Sequence, residues 1–205
     1  MPSREIKNII FDIGNVMVRW SPAEIARLTF GDDEQSRHKA ETIFRSDTWL
    51  ALNRGELTES EAKADIIALS GISETEADAL FYYIKETQIV LYGSVQLLKA
   101  AKSAGYKVFA LTDNVHEIVS HLQTRYDFWA LFDGEVVSAE EGCLKPCADI
   151  FNRLAEKYGV TPEESVFLDD VQQNVDGAKA VGFEAIVFVN TTQARRALST
   201  LGVML

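Results

Sequence analysis

Acidic and polar side chains in this 205-residue chain follow short apolar runs that are rich in β-branched residues. These side chains are Asp12 after IKNIIF, Thr112 and Asp113 after YKVFAL, and Asp169 and Asp170 after SVFL. Such runs predict buried strands of a parallel sheet. Ligands of open parallel sheets bind beyond the carboxyl ends of the strands. We therefore expect these side chains to converge on one crevice.

Each of these residues also has a purely structural explanation. An Asp after a strand often serves as a turn residue, and the segment Thr112–Asn114 can cap the next helix. Lys145, in GCLKP, precedes a proline, and such a lysine is most often a solvated surface charge. Because it lies ahead of a helix start, we expect its loss to have little effect on stability. The adjacent carboxylates of Asp169 and Asp170 favour a site most strongly, because they repel each other unless a cation or a helix N-terminus is near.

The elements that would position these residues alternate between strands and helices. A fourth apolar run, Ala185–Val189, predicts one more strand. Helical spacing of apolar residues predicts helices over Ser94–Gly105, Cys147–Tyr158 and Asp170–Val181. This alternation predicts an α/β fold, a Rossmann-like doubly wound parallel sheet with helices on both faces.

The interval between the first two predicted strands is too long for a simple crossover. It has roughly 90 residues, whereas a βαβ unit takes roughly 30. The helices predicted there cover Pro22–Phe30, Glu34–Arg45, Thr58–Ser70 and Ser73–Thr87, and the third begins with the capping-box pattern TESE. We expect residues 20–90 to form a small α-helical cap domain, and residues 1–19 and 91–205 to form the α/β core domain.

Composition and charge exclude several classes of partner. The chain is 47% apolar and carries a net charge of −11, which disfavours a nucleic-acid partner. The first residues have no signal pattern, and no apolar run reaches the roughly 18 residues of a membrane span. We therefore expect a cytoplasmic protein without a membrane partner. Cys143 and Cys147 can form a disulfide or a metal pair, but the lack of a secretion signal favours inert thiols.

The ordered set of motifs resembles that of the haloacid dehalogenase-like (HAD) superfamily over nearly the whole chain. By this resemblance Asp12 is the first-motif nucleophile, Thr112 the second-motif hydroxyl and Lys145 the third-motif lysine. Asp169 and Asp170 correspond to the fourth-motif metal carboxylates. The segments FDIGNVMVRW, NRGELTESE and LKPCADIF are similar to those of the α-D-glucose-1-phosphate phosphatase branch. The predicted helical insert lies where the family has a small cap.

The resemblance implies a Mg²⁺-dependent phosphatase that hydrolyses a small phosphorylated metabolite, with a sugar phosphate as the expected substrate. Asp12 would form an aspartyl-phosphate that water then hydrolyses. Mg²⁺, with Asp12, Gly14 (through its carbonyl), Asp169 and Asp170 as expected ligands, would offset the repulsion between the carboxylate and the phosphate.

The same resemblance implies a set of groups that bind the phosphoryl group. Lys145 would supply a positive charge, and Thr112 its hydroxyl, so that both count as catalytic residues alongside Asp12. The amide of Asp113 would donate a hydrogen bond, and Asn114 completes the expected substrate-binding set.

Gly14 departs from the family pattern. Most phosphatases of this superfamily have a second Asp at this position, and such a general acid/base contributes about 10²–10⁴ in rate. The glucose-1-phosphate branch shares the glycine, and a sugar 1-phosphate needs less help because its leaving oxygen is less basic. His116 is an alternative proton donor, and a positive φ is an alternative reason for the glycine.

Two rival functions stay open. A metal-independent 2-haloacid dehalogenase also lacks the second Asp, but its relatives have neutral residues in place of Asp169 and Asp170. A weakly active phosphate-ligand-binding protein of the same fold is the other rival, and the retention of Asp12 and Lys145 argues against it. The cap should set specificity, and its candidate residues are Trp20, Arg45, Trp49 and Arg54.

Overall fold

The computed structural model describes residues 5–205 and contains one sheet of five parallel strands. The strands are β1 (Asn8–Phe11), β2 (Lys107–Thr112), β3 (Gly134–Val137), β4 (Ser165–Asp169) and β5 (Glu184–Val187). Their order across the sheet is β3-β2-β1-β4-β5, so the direction of winding reverses between β1 and β4. The predicted doubly wound α/β fold is confirmed. Residues 1–4, part of the segment inspected for a signal pattern, lie outside the described residues.

Five helices separate β1 from the core helices. They are α1 (Pro22–Phe30), α2 (Glu34–Phe44), α3 (Asp47–Asn53), α4 (Glu59–Ser70) and α5 (Glu74–Glu86). The core helices are α6 (Tyr92–Ser103), α7 (His116–Arg125), α8 (Ser138–Glu141), α9 (Ala148–Tyr158), α10 (Gln172–Ala180) and α11 (Thr191–Thr200). The capping box that the sequence predicts at Thr58 is present at the start of α4. Within residues 5–205, no helix is long and apolar enough to cross a membrane.

The sheet is covered on both faces, as its largely apolar strands require. All four residues of β1 are buried, and successive side chains enter different apolar clusters. Ile9 and Phe11 join a cluster that extends into the five inserted helices, whereas Ile10 joins a smaller one with Phe151 and Phe167. The inserted helices therefore share one continuous core with one face of the sheet.

The two chain segments that lead into and out of the insert pair with each other. The amide of Arg19 donates to the carbonyl of Ile89 at 2.8 Å, and the amide of Leu91 donates to the carbonyl of Met17 at the same distance. The pairing ties the start and end of the helical insert together beside the sheet. The pairing supports a boundary between the insert and the core near residues 20 and 90. The assignment of these two parts as separate domains stays a prediction.

Gly55, after α3, lies close against the backbone of the core. Its φ is +70°, and an added Cβ would lie 2.1 Å from the carbonyl oxygen of Ala139 in α8. Neither backbone can yield cheaply. We expect Gly55→Ala to lower the free energy of unfolding by about 1–3 kcal/mol more than Gly71→Ala, as measured by urea denaturation.

Gly71→Ala is a matched control. Gly71 has a similar φ of +66°, but nothing lies within 4 Å of its added Cβ. Both variants therefore carry the left-handed backbone strain, and only Gly55→Ala adds the clash. Equal losses of stability would show that the insert does not press on α8 at this point.

Candidate active site

The carboxyl ends of three neighbouring strands bring the predicted residues together. Asp12 directly follows β1, Thr112 ends β2 and Asp169 ends β4. Phe11 of β1 is in register with Ala110 and with Leu168, so the three strand ends are level. Asp12 and Asp169 are buried because they lie at the end of the sheet beneath the inserted helices.

Lys145 links these strand ends through its ammonium group. Nζ lies 2.8 Å from Oδ1 of Asp12 and 2.7 Å from Oδ2 of Asp169, and the side chain is only 2% exposed. The interpretation of Lys145 as a solvated surface charge is therefore wrong. Because the lysine is a buried ion-pair partner, we now expect its loss to lower stability. Burial alone would lower the pKa of Lys145, but the charges of Asp12, Asp169 and Asp113 outweigh burial and raise it.

Asp12 is held in a mixed electrostatic environment. Burial raises the pKa of Asp12 to about 7, and the neighbouring charge of Asp169 adds to the rise. The ammonium of Lys145 acts in the opposite direction. One lysine therefore only partly compensates two buried carboxylates, and an added cation would favour the ionised form of Asp12.

Asp169 and Asp170 have different surroundings although they are adjacent. Asp169 is fully buried, and besides Lys145 it accepts hydrogen bonds from the Val171 amide at 2.8 Å and from Nδ2 of Asn174 at 3.1 Å. Asp170 is half-buried, and its Oδ2 accepts a hydrogen bond from Nδ2 of Asn15 at 3.0 Å. Burial raises the pKa of Asp170, while the bond from Asn15 lowers it.

Three carboxylates in this region can hold one metal ion. Oxygens of Asp12, Asp169 and Asp170 lie within 4.8 Å of one another. Carboxylate oxygens are hard ligands, which Mg²⁺ prefers over nitrogen or sulfur. The donor set therefore fits the predicted ion.

The loop after β2 connects the site to the inserted helices. Oδ1 of Asp113 accepts a hydrogen bond from the Lys145 amide at 3.0 Å. The Asn114 amide donates to Oγ of Ser138 at 2.9 Å, and Ser138 in turn donates to the carbonyl of Asn53 in α3 at 2.6 Å. One buried hydroxyl thus joins the loop to the insert.

A cavity of about 300 Å³ opens from the carboxylates toward the inserted helices. The α/β core contributes the polar wall residues Asp12, Gly14, Asn15, Asp113, Asn114, Lys145, Asp170 and Asn174, together with Ile118, Leu144 and Val171. The insert contributes Trp20, Phe44, Trp49, Leu50, Asn53 and Gln88. The rings of Trp20 and Trp49 stack with centroids 6.0 Å apart, and Phe44 meets both edge-on. The cavity therefore has a charged end and an aromatic end.

Not every predicted residue lies on the cavity wall. Trp20 and Trp49 do, but the other two specificity candidates, Arg45 and Arg54, do not, and Arg54 pairs with Glu56 at 2.6 Å instead. His116 is exposed at the start of α7 and is also outside the wall. Thr112 is 1% exposed and lies behind the wall, so its contact with a phosphoryl group stays a prediction.

Residues 6–182 match the family model of the haloacid dehalogenase-like hydrolases. The chain belongs to this family. It is 28% identical over 86% of its length to the sesquiterpene phosphatase astK of Aspergillus oryzae, of which it covers 86%. It is 24% identical over 96% of its length to a D-ribitol-5-phosphate phosphatase of Bacteroides thetaiotaomicron, of which it covers 98%.

Solved structures of HAD enzymes share the fold. A HAD enzyme from Bacteroides thetaiotaomicron, in complex with magnesium and inorganic phosphate, superimposes with a TM-score of 0.73 at 21% identity. The match covers 88% of this chain and 93% of that one. At this identity the likeness supports the HAD fold of the chain.

The structure corrects one explanation for the glycine at position 14, where most HAD phosphatases have a second Asp. That explanation was a positive φ at this position. Gly14 has no positive φ, and an added Cβ would have only the Cβ of Trp20 at 3.7 Å, an ordinary contact. The left-handed residue is instead Asn15, with a φ of 52°. A backbone reason for the glycine is therefore wrong.

Sequence reasoning missed two asparagines that support the site. Asn15 accepts from the Trp20 amide at 2.9 Å and donates to Asp170, so it fixes a metal-ligand candidate relative to the entry of the insert. Asn174 donates to both oxygens of Asp169. The only local signals were the left-handed tendency of asparagine in DIGN and the spacing of Asn174 one helical turn beyond the acidic pair.

Proposed function

We propose that the chain is a Mg²⁺-dependent phosphatase in which Asp12 attacks the phosphorus of a phosphate monoester. The observation that carries this proposal is the convergence of Asp12, Asp169 and Asp170, with the buried ammonium of Lys145 among them. Asp12, Lys145 and Asp170 line the cavity, and Asp169 lies behind them. A dianionic ester needs positive charge at this place before a carboxylate can approach it. A 2-haloacid dehalogenase has no use for the third carboxylate.

Asp12 and Asp170 are the best candidates for direct metal ligands. Asp12 and Asp170 both line the cavity, where their carboxylates can face a bound ion. Oδ1 of Asp12 also contacts Lys145, and Oδ2 of Asp170 accepts from Asn15. Asp169 already accepts bonds on both oxygens, so we assign it to the positioning of Lys145. The carbonyl of Gly14 is a further candidate ligand. When bound, Mg²⁺ neutralises charge on the transferring phosphoryl group.

The remaining groups of the cavity bind the phosphoryl oxygens. Lys145 contributes its positive charge, and the backbone amide of Asp113 and the Thr112 hydroxyl are candidate donors. The Asn114 amide already donates to Ser138, so the donor of Asn114 that remains for substrate is Nδ2. Asp12 would form an aspartyl-phosphate, and water would then release phosphate and regenerate the carboxylate.

The aromatic end of the cavity limits the substrate. Lys145 is the only cationic side chain on the wall among residues 5–205, and it belongs to the phosphoryl end. We therefore propose a monoester whose organic part is uncharged and presents an apolar face to Trp20 and Trp49. A sugar phosphate meets this requirement through the C–H face of its ring. An isoprenoid phosphate is a second candidate, supported by Phe44 and Leu50 and by the sesquiterpene phosphatase relative.

A panel of esters tests the proposal. We expect a sugar 1-phosphate, ribitol 5-phosphate, an isoprenoid monophosphate or several of these to be hydrolysed with Mg²⁺, and the activity to disappear with EDTA and return with added Mg²⁺. Metal-independent release of halide from a 2-haloacid would establish the dehalogenase instead. Tight binding of phosphate esters without turnover would establish the binding protein.

The variant Asp170→Ala tests whether Asp170 binds the metal ion. The variant loses a half-buried carboxylate that lines the cavity, and we expect the Mg²⁺ concentration for half-maximal activity to rise by about 10–100-fold or more. The matched control is Asp176→Ala, which removes an exposed carboxylate of α10. An unchanged Mg²⁺ titration of Asp170→Ala would remove Asp170 from the metal site.

A further inference from the structure

The proposed reaction lacks a proton donor for the leaving oxygen. Position 14 carries glycine, and His116 is exposed and away from the cavity wall. Within residues 5–205, the titratable side chains on the wall are Asp12, Asp113, Lys145 and Asp170. Asp12 is the proposed nucleophile, Asp170 a proposed metal ligand, and Lys145 is fixed between two carboxylates. Asp113 is the one that has no task for its side chain.

The carboxylate of Asp113 has one oxygen fixed and one available. Oδ1 accepts a hydrogen bond from the Lys145 amide at 3.0 Å, which sets the orientation of the side chain. Oδ2 has no hydrogen-bond partner among the described residues. Since it is not among their buried unpartnered atoms, it is not fully enclosed. Asp113 also lines the cavity, and we infer that its Oδ2 faces a substrate bound there.

The surroundings of Asp113 favour its neutral form. Burial raises the pKa of Asp113, and the charge of Asp169 adds to the rise, whereas Lys145 lowers it. A phosphoryl group bound at the same end of the cavity brings further negative charge, which disfavours a second anion beside it. A neutral carboxyl group can donate a hydrogen bond to the ester, whereas a carboxylate would repel it.

We propose that Asp113 is the general acid and base that replaces the carboxylate missing at position 14. This inference rests on the proposed phosphatase function. As a carboxylate oxygen of Asp12 bonds to phosphorus, the bond from phosphorus to the ester oxygen breaks, and the proton of Asp113 moves to that oxygen. The products of this step are the alcohol, the aspartyl-phosphate and the Asp113 carboxylate.

The second step returns every group to its starting state. Water bonds to phosphorus through its oxygen while the bond from phosphorus to Asp12 breaks. The Asp113 carboxylate accepts the proton that the water loses. Phosphate is released, Asp12 is an ionised carboxylate again, and Asp113 is protonated for the next cycle.

The test compares two leaving groups in Asp113→Asn. The amide keeps an Oδ1 acceptor for the Lys145 amide, so the loop geometry is preserved, but it cannot donate a titratable proton. We expect kcat/KM for a primary alkyl phosphate to fall by about 10²–10⁴-fold. For an aryl phosphate, whose leaving oxygen needs no proton, we expect less than about a tenfold loss. The wild type should depend only weakly on the leaving group, and the variant steeply.

His116→Ala is the control, because it removes the other titratable side chain near this loop from an exposed position, and neither rate should change. An equal loss on both esters would mean that Asp113 only binds the phosphoryl group, and no loss would mean that it is a bystander. Either result overturns the inference. If Asp113→Asn does not fold, Asp113→Ala is the second variant for the same comparison. A wild type inactive on every ester would instead contradict the proposed function.

Discussion

Replacing Asp12 with Asn is expected to lower kcat on any phosphate ester by more than about 100-fold, a barrier increase of about 2.7 kcal/mol. The amide is a poor nucleophile, and it no longer supplies the negative charge that draws Mg²⁺ to the site. Lys145 would then lose one of the two carboxylates with which it forms an ion pair and would keep Asp169. The measurement is steady-state kinetics at saturating Mg²⁺ on the best ester of the panel.

The fold should survive this substitution. Asparagine keeps an acceptor oxygen for Lys145, and it removes a buried carboxylate whose pKa burial raises to about 7, so a desolvation cost disappears. The control Asp176→Asn makes the same chemical change at an exposed position of α10 and should leave kcat unchanged. If Asp12→Asn retained more than about a hundredth of the wild-type kcat, Asp12 would not be the nucleophile.

Replacing Lys145 with Ala is expected to damage stability and catalysis together. Removing one partner of a buried ion pair leaves uncompensated charge, which typically costs about 3–5 kcal/mol. Here Asp12 and Asp169 would both lose their cation. The phosphoryl group would also lose a positive charge in the ground state and in the transition state, so KM should rise and kcat should fall. Urea denaturation and steady-state kinetics measure the two effects.

Two further lysine variants separate charge from packing. Lys145→Met keeps most of the side-chain volume without the charge, and we expect it to lose nearly as much stability as Lys145→Ala. Lys157→Ala removes a lysine whose side chain is 41% exposed and should change stability by less than about 0.5 kcal/mol. A folded Lys145→Ala protein with wild-type stability and kinetics would contradict the placement of Lys145 in the site.

The elements that could be predicted are those whose buried residues form a recognisable apolar pattern along the sequence. The strands β1, β2, β4 and β5 are fully or largely apolar runs, and the predicted bounds differ from those observed by two residues or fewer. The strand β3, with the sequence GEVV, has only four residues and is half-exposed at its first two. The helix α8 is also four residues long, too short for a period of 3.6 to show.

The remaining elements were missed for a similar reason. The apolar stripe of the helix α11 is weak, because Leu198 is the one large apolar residue within its bounds and the others are alanines. The helix α3 has seven residues, fewer than the window in which helical periodicity can be recognised. Tertiary contacts, rather than local sequence, determine these segments.

The residues of the site could be predicted from the sequence, whereas the hydrogen bonds and ion pairs that connect them could not. The sequence placed Asp12, Asp169 and Asp170 at strand ends, but a lysine in a loop carries no local sign that it is buried. The bonds of Asn15 to Asp170, and of Ser138 to the insert, join segments that are far apart in the chain. Such pairings follow from the packed fold, so no motif or period reveals them.

The stereochemistry of hydrolysis at phosphorus tests the central claim most directly. A substrate ester made chiral at phosphorus with sulfur and oxygen isotopes is hydrolysed with Mg²⁺ in isotopically labelled water, and the configuration of the product is determined. Attack by Asp12 followed by attack of water is two in-line displacements, which predict net retention of configuration. Net inversion would mean that water attacks the ester directly, and it would contradict the assignment of Asp12 as the nucleophile.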